Sequence, residues 1–425
     1  MKRWLIVLAA LVLLGTSLTA FASEDAYQRI FAAGGARLRE KALAAESAEE
    51  SHQTALDKGQ MSVVSVSPDG QTVLLSMDSD LFVLTQGKLS LLNARDVTTG
   101  QAEEYLSDPV IRRLGAEGAV WSPNSRYVVF PNARSVTTYL RSVPLMMADT
   151  KAGEIFPIKT YQQTTGVVLE SFMQGVFSPD SQAFYYTDIV GGITRLNRYS
   201  LRDHTSETLT EVGENAYGYP GMACGGDTLT WYAYQNAENR LNVYHLKDGA
   251  LSQQPLALPR ALQPQYYAAA GQTVLTSQSV LSGIYMGMVH LLDGKPLGAQ
   301  VGSNGLAVFH LGEPLDTQEA LDAWLAVQED YKNDPARVAH LAVSPDGRYA
   351  LAMLLFNNYA DHTFWLLDVN TLQAVPVEAD LGENPVVYLA KGARYMPGLS
   401  LEAGGMVVAS TDGLSAKLYQ LEPAK

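Results

Sequence analysis

Four copies of one short turn decide the fold of this chain: Ser67-Pro68-Asp69-Gly70, Ser122-Pro123-Asn124-Ser125, Ser178-Pro179-Asp180-Ser181 and Ser344-Pro345-Asp346-Gly347. Proline presets the first central residue of such a turn, Asp or Asn hydrogen-bonds nearby backbone, and Gly accepts a positive φ. An apolar stretch precedes each turn and a β-rich run follows it, as Ser62 to Val66 and Thr72 to Ser76 do for the first copy. The repeat is therefore a strand, a turn and a strand.

Three weaker copies lack the proline but keep the following strand: Gly225-Gly226-Asp227, Ala270-Gly271-Gln272 and Ala403-Gly404-Gly405. A third strand with a polar turn follows each second strand, as in Phe82 to Gly87, and a fourth strand is expected after it. Repeats of four antiparallel strands at about 40 to 50 residues are typical of β-propellers. We therefore predict an all-β chain that folds as a propeller of about seven blades. Six or eight blades remain alternatives, because Leu306 to Leu311 is either an extra strand or the outer strand of blade five.

The turn, the strand after it and a further strand ending at Asp-x-x-x-Gly together resemble the TolB-like, WD-repeat-like propellers of bacterial envelopes. This resemblance covers residues 61–421 and implies the fold, whereas propellers carry unrelated activities. The chain has no Trp-Asp dipeptide and no counterpart of the separate α/β domain of TolB, so the resemblance concerns the propeller part alone.

The N-terminus has the features of a signal peptide over residues 1–22. Lys2 and Arg3 precede an apolar run from Trp4 to Leu18, and Ala20 and Ala22 fit the small-x-small cleavage pattern. Cleavage after Ala22 would leave no membrane span, and an uncleaved anchor is the alternative. We expect an exported protein, secreted or associated with the bacterial cell envelope.

Residues 23–60 are predicted to be a helical leader, and residues 61–425 the propeller. A helical insert is expected at about 314–334, where Leu321, Trp324, Leu325 and Tyr331 recur at helical spacing. The last blade lacks a fourth strand unless a segment before Met61 supplies it. In the alternative, the leader covers that open edge.

The net charge argues against one class of function, and the cysteine count argues against a disulfide. The 44 acidic and 30 basic residues give a net charge of −14, and no Lys/Arg cluster follows the first three residues, which argues against nucleic-acid binding. The single cysteine, Cys224, cannot form an intramolecular disulfide and is expected in the core.

No motif of a known catalytic class is recognised. The chain has neither a Gly-x-Ser-x-Gly elbow nor a phosphate-binding glycine loop, so we predict a protein that is not an enzyme. Histidines do not pair at metal-ligand spacing, and we predict no metal and no cofactor. The seven histidines are His52, His204, His245, His290, His310, His340 and His362.

Binding residues are expected on the face that carries the connections between second and third strands and between blades. Insertions expected there include Asn132 to Thr138, Ile189 to Ile193, Asn236 to Arg240 and Asn357 to His362. Aromatic and basic residues suit recognition of a protein or glycan. The candidates are Arg134, Tyr217, Tyr219, Arg240, Tyr266, Tyr267, Trp324 and Tyr359.

These observations predict an exported, non-catalytic propeller that binds or scaffolds another protein at the bacterial cell envelope, with a glycan as the other partner considered. The alternative function is a propeller enzyme of the envelope that acts on a sugar or a lactone, with acids assembled from several blades.

Overall fold

The structure is a computed structural model in which strands dominate. It describes residues 26–424 except 78–79, 93–118, 132–139, 165–169, 215–216, 226–227, 236–237, 252–255, 258–265, 271–272, 281–282, 293–294, 297–305, 311–312, 316–336, 345, 357–360, 369–370, 372, 380, 382–398 and 411–415. The prediction of an all-β chain is confirmed. In this described part, no helix is long and apolar enough to cross a membrane.

The leader has three elements. They are α1 (residues 26–33), β1 (Ala36–Glu40) and α2 (Glu50–Asp57). The helical leader predicted for residues 23–60 is thus wrong in its middle, because β1 gains backbone hydrogen bonds on both sides from sheets that lie far along the chain. Gly34, at a φ of 74°, ends α1 and lets the chain turn into the strand.

From Ser62 onward the described residues form four-stranded antiparallel units, which we number in chain order. The repeated turn joins the first two strands in each of units I, II, III and VI. In unit I the Ser67 hydroxyl donates to Asp69 Oδ1 at 2.6 Å and accepts from the Thr72 amide at 2.9 Å. Unit I comprises β2 (Ser62–Val66), β3 (Thr72–Met77), β4 (Asp80–Thr85) and β5 (Lys88–Leu92).

Units II, III and IV repeat this order, each strand pairing with the next. Unit II comprises β6 (Val120–Trp121), β7 (Tyr127–Pro131), β8 (Leu140–Asp149) and β9 (Glu154–Thr164). Unit III comprises β10 (Glu170–Phe177), β11 (Ala183–Val190), β12 (Ile193–Ser200) and β13 (Thr205–Glu214). Unit IV comprises β14 (Tyr217–Gly225), β15 (Thr228–Gln235), β16 (Glu238–His245), β17 (Ala250–Leu251) and β18 (Leu256–Ala257), the last two both pairing with β16.

Unit V is the least regular, as two short strands accompany its four. It comprises β19 (Tyr266–Ala270), β20 (Thr273–Val280), β21 (Gly283–Leu292), β22 (Lys295–Pro296), β23 (Leu306–His310) and β24 (Glu313–Leu315). Because β23 pairs with β21, the segment from Leu306 supplies an outer strand of this unit. The predicted helical insert begins within β24 and otherwise lies outside the described residues.

Units VI and VII share one eight-stranded sheet. Unit VI comprises β25 (Arg337–Val343), β26 (Tyr349–Phe356), β27 (Asp361–Asp368) and β28 (Gln373–Glu378). Unit VII comprises β29 (Leu399–Leu401), β30 (Met406–Ser410), β31 (Ala416–Pro423) and the leader strand β1. The prediction that a segment before Met61 supplies the missing fourth strand is therefore confirmed.

The units pack side by side in a circular order. Buried apolar clusters join units I and II, II and III, III and IV, VI and VII, and VII and I. Between the remaining units, first strands lie against one another, β14 next to β19 and β19 next to β25. Units I, II, III and VII thus bury apolar side chains against both of their neighbours, which explains why their strands are apolar on both sides.

Candidate functional site

The predicted binding face is the end of the units at which each first strand begins. Because four antiparallel strands return the chain to its starting end, the start of every first strand and the turn between second and third strands share this end. We call it the loop end, and the opposite end, which carries the Ser-Pro turns, the turn end.

Five of the eight predicted binding residues lie on described strands near the loop end. Tyr217 begins β14 opposite Tyr234, and Arg240 lies opposite Ala233 on the same unit. Tyr266 and Tyr267 begin β19, which lies next to β14. Tyr219 falls in β14 where the register shifts between Gly218 and Met222. The backbone therefore brings these five positions to adjoining parts of units IV and V.

The other three candidates, Arg134, Trp324 and Tyr359, lie outside the described residues. So does the expected insertion from Asn132 to Thr138.

Two other expected insertions are wrong. Residues Ile189 to Ile193 close a hairpin whose two turn residues, Gly191 and Gly192, have φ values of 59° and 84°. Positive φ at both central residues is the requirement of the tightest hairpin turn, so this segment adds no loop. The segment from Asn236 likewise spans only two residues between β15 and β16, and Arg240 is part of a strand.

A buried charge cluster near the loop end was missed by the sequence analysis. Asp188, on β11, is 0% exposed. Its carboxylate accepts from Lys159 of unit II and, at 3.2 Å on each oxygen, from Arg195 of the neighbouring strand β12. Oδ2 accepts from Lys159 and so links units II and III, whereas the two contacts with Arg195 lie within unit III.

One sequence signal could have revealed this cluster. An aspartate stands inside the otherwise apolar and aromatic run of β11. Counting outward from the Gly191-Gly192 turn places Asp188 opposite Arg195, which is the observed register. A charge within a buried strand needs a partner, and cross-strand pairing supplies it.

Several buried polar atoms on units III and IV have no hydrogen-bond partner within the part of the chain that the structure describes. Thr187 and Thr194 on unit III, and the indole nitrogen of Trp231 on unit IV, are of this kind. Thr187 and Thr194 are each two positions from a residue of the apolar cluster that joins these two units, so they lie on the same face of the sheet as that cluster, and Trp231 belongs to the cluster. Because those three atoms are also shielded from solvent, burying them without a hydrogen bond costs free energy of folding.

The single cysteine is a buried core residue. Cys224 is buried in the cluster that joins units III and IV, as predicted. Burial raises the pKa of its thiol to about 12, which keeps it protonated and unreactive at neutral pH. His245 and His290 lie in third strands, as predicted. Across the described ranges, no group of three or more His, Cys, Asp and Glu side chains is arranged to hold a metal ion.

Comparison with known proteins finds similar solved structures but no matching family. No family model matches the chain, and no curated protein matches it. An oligogalacturonate lyase from Vibrio parahaemolyticus is 11% identical, with a TM-score of 0.47, over 91% of this chain and 97% of that one. A prolyl endopeptidase is 12% identical, with a TM-score of 0.46, over 75% of this chain and 42% of that one. TolB from Acinetobacter baumannii is 9% identical, with a TM-score of 0.36, over 77% and 70%.

TolB proteins are thus among the similar structures, as are enzymes. The chain spans less than half the length of the prolyl endopeptidase that it matches. At identities of 9 to 12%, neither an activity nor a partner transfers from these proteins to this chain.

Proposed function

We propose that the circle of units is a seven-bladed β-propeller that serves as an exported, non-catalytic binding or scaffolding module of the bacterial cell envelope. Two features support the propeller. Neighbouring units contact each other all the way around, and β1 supplies the outer strand of unit VII. Such closure leaves a rigid scaffold on which exposed connections carry recognition.

The observation that carries the binding proposal is the convergence of predicted binding residues at the loop end. Tyr217, Arg240, Tyr266 and Tyr267 were selected from sequence for their chemistry and for their expected place on this face, and all four belong to strands of units IV and V. Tyrosine and arginine are enriched where proteins bind one another and often supply most of the binding energy. A partner that docks across the two units through this region accounts for the convergence.

Paired variants of unit IV test this proposal. The double variant Tyr217→Ala/Arg240→Ala alters the loop end, whereas Lys247→Ala changes an exposed residue after β16 at the turn end of the same unit. Each form would be tagged, incubated with envelope extract of its host, and the retained proteins identified by mass spectrometry. We expect one protein to be retained by the wild type and by Lys247→Ala, and its recovery to fall at least about tenfold with the double variant.

Equal recovery by all three forms would contradict docking at the loop end. A small molecule that co-purifies with the wild type, together with turnover of a sugar or lactone, would favour the enzyme alternative. Thermal unfolding of each form is the control for folding, since both changes are at the ends of strands.

A further inference from the structure

The leader strand β1 is inserted between two strands and does not lie at a sheet edge. It pairs antiparallel with β31 from Ala36 opposite Pro423 to Glu40 opposite Tyr419. On its other side it runs parallel to β28, with Ala36 opposite Val377. The Lys41 amide donates to the Leu418 carbonyl at 2.8 Å, and the Ala424 amide donates to the Gly35 carbonyl at 2.9 Å. Units VI and VII therefore hold a slot with the width of one strand.

A deep apolar socket adjoins this slot. Tyr27 of α1 is 3% exposed, and its ring stacks on that of Tyr349 with 3.7 Å between centroids. Ile30 is 1% exposed and Ala36 is 0% exposed, and both belong to the core cluster of units VI and VII. The aromatic ring and the isoleucine thus anchor the leader as side chains of a bound peptide anchor in a receptor.

Charged contacts at the rim fix the register of the leader. Arg37 Nη2 contacts Glu422 Oε2 at 2.9 Å, and Lys417 Nζ contacts Glu40 Oε1 at 3.1 Å. These side chains are partly exposed, so their contribution to affinity is small compared with that of the buried anchors. Arg39, which is 72% exposed in its side chain, reaches Glu422 only at 3.5 Å.

The leader is held to the rest of the molecule in two independent places. After β1, residues Ala42 and Ala44 are exposed. The next attachment is to unit I, where the Glu46 amide donates to the Gly87 carbonyl and Ala55 and Leu56 of α2 are buried. A cut between Ala42 and Leu43 would separate the segment that ends at Ala42, which includes residues 26–41, from the rest of the chain, while Leu43 stays packed against the cluster of unit I.

We propose that residues 26–41, the clasp, are a peptide ligand carried within the chain, and that their slot also binds a peptide of the same pattern supplied in trans. The pattern is an aromatic anchor, an aliphatic residue three positions later, a Gly-Gly turn, and a strand that alternates small or aliphatic residues with arginine. The slot is a peptide-binding site with main-chain recognition on both edges.

The test uses the full-length chain with a protease recognition sequence inserted between Ala42 and Leu43. The protein is purified folded and then cut, so that folding precedes the break. Three fluorescent peptides of residues 26–41 are added: the wild-type sequence, Tyr27→Ala, and Arg39→Ala as a matched control. Anisotropy measures binding, and hydrogen exchange in β28 and β31 is compared with that in β10 to β13.

We expect the cut clasp to stay bound until a competing peptide is added. The wild-type and Arg39→Ala peptides should displace it with equal affinity. The affinity of the Tyr27→Ala peptide should be at least about tenfold lower, because that change removes the buried ring. Protection of β28 and β31 should fall when the clasp leaves and return when peptide binds. Equal binding of all three peptides, loss of the clasp without any change in β28 and β31, or unfolding of β10 to β13 on cutting would each overturn the proposal.

Discussion

Asp180 and Asn124 occupy the same position in two copies of the repeated turn, and they make the same contacts. The Asp180 carboxylate accepts from the Ser178 hydroxyl at 2.6 Å and from the Gln182 amide at 3.0 Å. Asn124 Oδ1 accepts from the Ser122 hydroxyl and the Arg126 amide at 2.7 and 3.1 Å. The turn requires a side-chain Oδ1 atom at this position, and the charge of the side chain is secondary.

Charge matters for the dependence of stability on pH. The hydrogen bond from Ser178 and that from the Gln182 amide lower the pKa of Asp180. The pKa of Asp180 is lower in the folded state than in the unfolded state, where it is near 4. Asp180 therefore stabilises the fold fully at pH values above its unfolded-state pKa, and this contribution is lost as the pH falls through the folded-state pKa.

We predict that Asp180→Asn preserves the turn, costs less than about 1 kcal/mol at pH 7, and flattens the loss of stability below pH ~4. Urea unfolding at several pH values measures this. A cost at pH 7 well above that value would show that the turn needs the carboxylate itself, and an unchanged acid slope would show that the pKa of Asp180 is not lowered.

Thr187 illustrates a residue that the fold tolerates at a cost. Its buried hydroxyl has no partner among the described residues, whereas the buried hydroxyl of Thr72 accepts from Thr85 at 2.9 Å. Replacing Thr by Val keeps the shape, so only the hydrogen-bond balance changes.

We predict that Thr187→Val leaves the free energy of unfolding unchanged or raises it by up to about 1 kcal/mol, while Thr72→Val lowers it by about 1 kcal/mol because Thr85 loses its acceptor. Urea titration of both variants gives the comparison. Destabilisation by Thr187→Val equal to that by Thr72→Val would mean that the Thr187 hydroxyl is satisfied in solution.

At the scale of elements, the repeated turns are linked from one unit to the next. The Asp69 amide of unit I donates to the Ser125 hydroxyl of unit II at 2.9 Å, and the Asn124 amide donates to Ser181 of unit III at 3.2 Å. Both serines have a φ of 58°, a region in which glycine is favoured. Serine is retained there at some conformational cost because its hydroxyl joins two units.

Unit I has a glycine, Gly70, at the turn position where units II and III have Ser125 and Ser181. Gly70 has a φ of 70°, and a Cβ there would lie 3.0 Å from the Met406 methyl group of unit VII. A side chain at position 70 would therefore require the Met406 methyl group to shift slightly, whereas Ser125 and Ser181 face a hydrogen-bond donor.

We predict that Ser125→Ala lowers the free energy of unfolding by about 1 to 2 kcal/mol, because it keeps the positive φ and loses the acceptor for Asp69. Ser125→Gly should cost less, since glycine relieves the backbone strain. Thermal and urea unfolding of the two variants measure the difference. If Ala and Gly cost the same, backbone strain at position 125 is not significant.

At the scale of the whole molecule, stability comes from apolar clusters shared by neighbouring units. Leu229 of unit IV lies in the cluster with unit III, and Leu351 of unit VI lies in the cluster with unit VII and the leader. Neither unit buries its faces by itself, so each depends on its neighbours and unfolding should be cooperative.

We predict that Leu229→Ala and Leu351→Ala each lower the free energy of unfolding by about 3 kcal/mol. Both variants should unfold in one transition that is shifted by the same amount, whether unfolding is measured by tryptophan fluorescence or by circular dichroism. Two separated transitions, one moved by each variant, would show that the two sides of the circle unfold independently.

The repeat and its strands followed from sequence, because turn chemistry and alternating apolar residues act over a few neighbouring positions. The predicted second strands at Thr72, Tyr127, Ala183 and Tyr349 all begin where the structure has them. The predicted first strand from Ser62 to Val66 matches β2 at both ends. The sequence placed Tyr217 and Arg240 on one face, but the pairing of Tyr217 with Tyr234 could not be read the same way, because the register shifts between Gly218 and Met222.

What the sequence by itself determined is therefore the four-stranded antiparallel repeat, since each of its turns is specified by residues close together in the chain. Only the tertiary structure decided the place of the leader: Ala36 and Pro423 are neighbours although almost the whole chain separates them. The same holds for the contact of Lys159 with Asp188. Pairing of distant strands is set by which edges and faces remain after every unit has formed, and no local pattern records it.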